Sequence, residues 1–148
     1  MKRFIAFTLV IGVLFAINTD ASAQAGTVNY LKSQYGNNTD TVGGSDTKYM
    51  RIAAANPVSG WQKAITFAVT LTEISGTTGG TLSLQASLDG TNWYNAYESR
   101  DSAYTFTPAD VASQTFNFRL TEIRDRWYRV KYVGTGTMST IIAGRFLY

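Results

Sequence analysis

Thr81–Glu98 reads TLSLQASLDGTNWYNAYE. Leu82, Leu84, Ala86 and Leu88 fall at every second position, with Thr81, Ser83, Gln85 and Ser87 between them. Successive side chains of a strand point to opposite faces, so this alternation predicts a strand with one dry and one wet side. Asp89-Gly90 then predicts a turn, because glycine takes a positive φ without steric cost. The chain returns near Trp93, and loop length decides where that ring goes. A loop of two residues (Asp89, Gly90) or four (Asp89 to Asn92) places Trp93, Asn95 and Tyr97 on the Leu82–Leu88 face. A loop of three or five swaps the faces and exposes Trp93. The reading adopted is burial of Trp93.

The same period continues on both sides. Thr47–Ala54 puts Met50 and Ile52 on one face and Tyr49 and Arg51 on the other. In Trp61–Ile74, Ile65, Phe67, Val69 and Leu71 share a face, and Gly76–Gly80 predicts a turn into the next strand. Thr115–Leu120 turns Phe116, Phe118 and Leu120 inward, and Trp127–Val133 turns Tyr128, Val130 and Tyr132 inward. Met138–Tyr148 is apolar on both faces, so it is expected to be a paired strand inside a sheet or at a subunit contact, with a bulge at Gly144. Thr107-Pro108-Ala109-Asp110 predicts a single helical turn, with Thr107 as its cap. Seven to nine strands at spacings of roughly 8–12 residues, with no amphipathic helix, predict an all-β chain. The expected architecture is an antiparallel β-sandwich, jelly-roll-like or immunoglobulin-like.

The 148 residues divide into three parts. Met1-Lys2-Arg3, an apolar run from Phe4 to Ile17 and Ala21-Ser22-Ala23 form the pattern of a signal peptide over residues 1–23. The run is 14 residues long. As a helix it reaches about 21 Å, short of a hydrocarbon core of about 30 Å. Residues 24–46, with Asn37-Asn38-Thr39 and Gly43-Gly44-Ser45, are expected to be a flexible N-terminal arm. Residues 47–148 form the sandwich domain. Removal of residues 1–23 lowers the formal charge from +3 to +2, too little to argue for nucleic acid. No integral membrane contact is expected after cleavage.

The chain contains no His and no Cys. The commonest general base, the thiol nucleophile and the usual zinc ligands are therefore missing, and no disulfide can form. No catalytic residue, metal site or cofactor is assigned. Carboxylates at Glu73, Asp89, Glu98, Asp101, Glu122 and Asp125 leave open a glycosidase pair. Asp89 and Asp101 leave open a calcium site, without EF-hand spacing. Candidate ligand contacts are Trp61, Asn92, Trp93, Tyr97 and Trp127. Arg119, Arg129 and Lys131 are a candidate basic patch for an acidic glycan; edge-strand charge that suppresses aggregation is the structural alternative. Ile141, Phe146, Leu147 and Tyr148 are candidate self-association residues.

LSLQASLDGTNWYNAY (Leu82–Tyr97) is similar to the S-x-DG-x-x-W hairpin of discoidin-like and other galactose-binding-like sandwiches. RWYRVKYVGTGTMSTIIAGRFLY (Arg126–Tyr148), with TFTPADVASQTFNF before it, resembles small β-sandwich proteins of phage virions and their relatives in Bacteroidetes-type genomes. The resemblance spans about residues 62 to 148. It implies an adhesion, decoration or fibre-associated module, and the signal peptide favours an exported protein over a virion component. The expected function is thus a non-enzymatic exported structural or adhesion module. It self-associates as a homo-oligomer or joins a surface assembly (virion, fibre or appendage). The alternative is a secreted carbohydrate-binding module that recognises a surface glycan.

Overall fold

The computed structural model describes residues 28–52, 64–99 and 102–147. Residues 1–23, Trp61, Asp101 and Tyr148 lie outside these. The described residues form twelve strands and no helix. Seven have five residues or more: β2 (Thr39–Gly43), β3 (Thr47–Arg51), β4 (Ile65–Ser75), β5 (Gly80–Ser87), β10 (Ser113–Leu120), β11 (Trp127–Gly134) and β12 (Ser139–Leu147). Five are shorter: β1 (Asn29–Tyr30), β6 (Tyr94–Asn95), β7 (Tyr97–Ser99), β8 (Ser102–Ala103) and β9 (Thr105–Phe106).

One sheet has the order β1-β12-β4-β10, with β2 also on β12; the other has β3-β11-β5-β6, with β9 also on β5. All pairings are antiparallel. In chain order, the seven long strands alternate strictly between the two sheets. An immunoglobulin-type sandwich keeps several successive strands together in one sheet. The alternation therefore decides for the jelly-roll-like arrangement.

It also changes the meaning of two turns. Gly76–Gly80, expected to close a hairpin, is an arch from one sheet to the other, and so is 135–138. The arches meet at one end of the sandwich, where the Tyr132 hydroxyl donates to Gly79 O at 2.9 Å. Gly80 has φ of +115°, and a Cβ there would lie 2.0 Å from Val133 O. No side chain fits without displacing backbone.

Period-two burial builds the dry layer. Ile65, Phe67, Val69 and Leu71 of β4 face Leu82, Leu84 and Ala86 of β5 and Tyr128, Val130 and Tyr132 of β11 across it. Phe67 lies 5.7 Å from Tyr128 and 6.1 Å from Phe146, ring centre to ring centre. Such tilted aromatic contacts add to the burial of area.

Several expectations change. Residues 28–46 are built into the sheets: β1 and β2 pair end to end along β12, and Leu31 and Val42 are fully buried. The predicted helical turn after Thr107 does not form. The Gln114 side chain bonds both N and O of Ala109, and Asp110 accepts the Thr78 N–H at 2.8 Å. The β12 irregularity falls between Ser139 and Thr140, not at Gly144. Gly144 makes room for Leu31 instead, since a Cβ there would lie 2.6 Å from Leu31 Cδ1. Leu88, read as the last residue of the dry face, is 65% exposed.

Phe67→Ala is expected to lower the unfolding free energy by about 3–5 kcal/mol, and Leu88→Ala by less than about 0.5 kcal/mol. Urea titration measures both. Equal losses would refute this assignment of the dry face.

Candidate binding site at the sheet edge

The site begins with the loop after β5. Gln85 pairs with Asn95 and Ala86 with Tyr94, so five residues, Leu88–Asn92, lie between Ser87 and Trp93. The odd count turns Trp93 outward, against the adopted reading. Side-chain hydrogen bonds fix this length. Ser87 Oγ accepts from the N–H groups of Asp89 and Gly90 and donates to Asp89 Oδ1. Asp89 Oδ1 also accepts from the N–H groups of Thr91 and Asn92, and Oδ2 from Asn92 Nδ2. These donors, the Asn92 backbone N–H first, hold the Asp89 carboxylate well below the usual carboxylate range. Gly90 takes φ of +76°, and a Cβ there would sit 3.4 Å from the indole nitrogen of Trp127.

The outer face of β5 is therefore covered rather than wet: Ser83, Gln85 and Ser87 are buried. Arg129, directly opposite Gln85, provides much of the cover. Its guanidinium lies 4.1 Å from the Tyr49 ring centre and 4.2 Å from that of Trp93. Its Nε donates to Gln85 Oε1 at 2.8 Å. Burial pulls its pKa down from the ordinary arginine value. Arginine suits this position because a planar cation stacks on aromatic faces while its edge donates hydrogen bonds.

Past this row, β6, β7 and the 121–126 connection enclose an open cleft of about 750 Å³. The exposed Tyr94 and Tyr97 wall it, and the buried Ala96, Tyr104, Leu120 and Tyr128 lie beneath them. Asn95, Glu122, Arg124 and Asp125 bring polar groups to it. The Tyr94 hydroxyl donates to Asp125 Oδ1, and the Asp125 N–H donates to the Tyr128 oxygen at 3.3 Å. Tyr104 reaches across to donate to Arg119 O. Partial desolvation, followed by the Asp125 carboxylate, pushes Tyr94 up to about 12. Arg124 and Glu122 form an ion pair at 2.6 Å on the exposed rim.

The sequence candidates scatter over this framework. Trp93 and Trp127 share the outer face, half-buried, and Tyr97 stands 57% exposed at the cleft. Asn92 is engaged by Asp89, and Trp61 lies outside the described residues. The basic patch does not assemble: Arg129 and Lys131 lie on β11, whereas Arg119 lies on β10 in the other sheet. Of the self-association candidates, Phe146 is buried in the core, Ile141 is half-buried and Leu147 is 39% exposed. β12 lies inside its sheet, so its edges are taken. Asp89, considered for calcium, spends both oxygens on its own loop. Among the described residues no group of three metal-ligating side chains occurs, and no helix is long and apolar enough to cross a membrane.

Sequence reasoning missed Tyr49, Gln85, Tyr94, Tyr104 and Tyr128, and it named Asp125 only as one of six candidate carboxylates. Gln85 had a signal, since it is an outward position of a strand whose neighbour carries an outward arginine. The meeting of Tyr94 with Asp125, 31 positions apart, had none.

No protein-family model matches the chain, and no curated protein matches it in sequence. The resemblance to phage and Bacteroidetes proteins thus rests on the quoted segments alone. Solved structures with a similar layered arrangement include the protein of "Family 16 Carbohydrate Binding Module-2" (9% identity, 84% of this chain and 88% of that chain, TM-score 0.46). A second is CBM32-1 of a family 31 glycoside hydrolase from Clostridium perfringens (12%, 84% and 95%, TM-score 0.43). A third is the protein of "Bacillus endospore appendages form a novel family of disulfide-linked pili" (14%, 88% and 95%, TM-score 0.38). Likeness of this degree carries no statement about function, and the architecture above rests on this chain's own strand pairing.

Arg129→Ala is expected to cost about 1–3 kcal/mol, because it removes the stack and strips Gln85 of a donor. Lys131→Ala should stay within about 0.5 kcal/mol. Denaturant titration with tryptophan fluorescence distinguishes them, and equal small effects would show that the stack contributes nothing. For Tyr94 the raised pKa sets the sign: its stabilisation is full below pH 10, the free-tyrosine value, and is lost as pH rises through about 12. An absorbance titration of wild type against Tyr94→Phe should lose one high-pH phenol. Loss of a phenol titrating near 10 would contradict this.

Proposed function

We propose that the chain is a non-enzymatic, exported adhesion module that takes a neutral saccharide into the cleft between β6–β7 and residues 121–126. One observation carries this reading: two exposed tyrosines, Tyr94 and Tyr97, and planar polar side chains converge on one open cleft of sugar size. Aromatic faces pack on the apolar C–H faces of a sugar ring, while carboxylates and amides pair with its hydroxyls. Glu122 and Asp125 outnumber Arg124 there, so a neutral sugar fits better than an acidic one. The acidic-glycan alternative is weaker, because Arg119 is remote and Arg129 is stacked between two rings. A hydrolytic role lacks a free pair of carboxyls: Glu122 is held by Arg124, and Asp125 accepts from the Tyr94 hydroxyl. The signal-peptide pattern of residues 1–23 supports export and a place at a cell surface or appendage.

A glycan array followed by affinity electrophoresis tests this. Tyr97→Ala and Asp125→Asn should each weaken binding to a neutral polysaccharide by about tenfold or more, with an unchanged urea midpoint for Tyr97→Ala. Retained binding in both variants, or no glycan bound by the wild type, would sink the proposal.

A further inference from the structure

The strand registers align five polar residues in one row across the outer face of the second sheet. Asn95 of β6 stands opposite Gln85 of β5, Gln85 opposite Arg129 of β11, and Arg129 opposite Arg51 of β3. Arg51 in turn exchanges both backbone hydrogen bonds with Lys32, just beyond β1. Residues directly opposite one another share a face of the sheet. Four steps of about 4.8 Å between neighbouring strands give a track of roughly 19 Å. Its first residue, Asn95, also lines the cleft, so cleft and track are continuous.

Charge changes along this track. The cleft end carries Glu122 and Asp125. The far end carries Arg129, Arg51 and Lys32 side by side, and among the described residues none of the three is in an ion pair. Like charges directly opposite one another destabilise a sheet, so the row has a cost that a bound anion would relieve. Arg129 registers the repulsion: burial first, and the charge of Arg51 besides, pull its pKa down. Its faces are stacked and its Nε is bonded to Gln85, so it contributes charge rather than a free donor face. Arg51 is exposed, and the half-buried Lys32 is steadied by the Asn38 side chain. These two are the groups an incoming anion meets.

We infer that the track carries the continuation of a polysaccharide whose neutral unit sits in the cleft, with uronic-acid carboxylates over Arg51 and Lys32. The inference rests on the saccharide reading and adds the ligand class: an acidic heteropolysaccharide that combines neutral and uronic units. The unit in the cleft stays neutral, because Glu122 and Asp125 repel a carboxylate there. Beyond it, ammonium and guanidinium groups pair with carboxylate oxygens in charge-assisted hydrogen bonds. A nucleic acid fits less well, since its bases need open aromatic faces, and Tyr49 and Trp93 each turn a ring face to Arg129.

Affinity electrophoresis of the purified chain with hyaluronan, gellan and xanthan, each beside its carboxyl-reduced form, tests this. Wild type should bind at least one acidic polymer about tenfold or more tighter than its reduced form, and added salt should erase the difference. Lys32→Gln with Arg51→Gln should bind both forms alike, with a urea midpoint no lower than wild type, because a repulsion is removed. Lys32→Arg with Arg51→Lys should keep the preference. Equal binding of both forms by wild type, or a preference that survives in the glutamine pair, would overturn the inference. In either case, a reduced polymer that still binds, and binds more weakly to Tyr97→Ala, leaves the saccharide reading standing. Binding to single-stranded DNA in place of every polysaccharide, or to none of these polymers, would also overturn it.

Discussion

One dry layer, without a covalent cross-link, holds the two sheets together. Phe67, Leu84, Phe118 and Val130 are all fully buried in it, and the chain has no cysteine to supplement it. Because the long strands alternate between sheets, each arch carries the chain across this layer before the next strand can pair. Every long strand therefore commits its apolar side to one shared interior. Function is left to the outer faces, the rims and the edges.

The outer face of β5 shows how local chemistry becomes a site. Ser87 and Asp89 hold a loop of five residues by hydrogen bonds within that loop. The odd count sends Trp93 outward, where it meets Arg129 and, beyond it, Tyr49. A buried amide, Gln85, anchors the guanidinium from below. The same loop sends Tyr94 toward Asp125, so the stacked row and the cleft are two consequences of one turn. The S-x-DG-x-x-W segment has a physical content here: a serine and an aspartate to bond the turn, a glycine for positive φ, and a tryptophan delivered to the outside.

Much of the layer was legible because alternation is a local code. Ile65 to Leu71, Phe118 to Leu120 and Tyr128 to Tyr132 point where a period of two sends them. The site was less legible. Trp93 went to the wrong face on a difference of one residue in loop length. Arg119 was grouped with Arg129 because both are outward arginines on strands adjacent in sequence, yet successive strands here belong to different sheets. The N-terminal segment looked like an arm because its turns are polar and rich in glycine. Leu31 and Val42 were too few to announce that β12 would receive both β1 and β2.

By itself, the sequence determined the pleated, all-β character of the chain, the apolar side of each long strand and the lack of His and Cys chemistry. These follow from side-chain spacing and residue type, which no contact alters. Only the tertiary structure decided which strands share a sheet, that β12 lies inside and β10 at an edge, and that Tyr94 meets Asp125. The reason is that hydrogen bonds between strands and contacts across the layer join residues far apart in the chain. Period two says which way a side chain points, but not what stands opposite it.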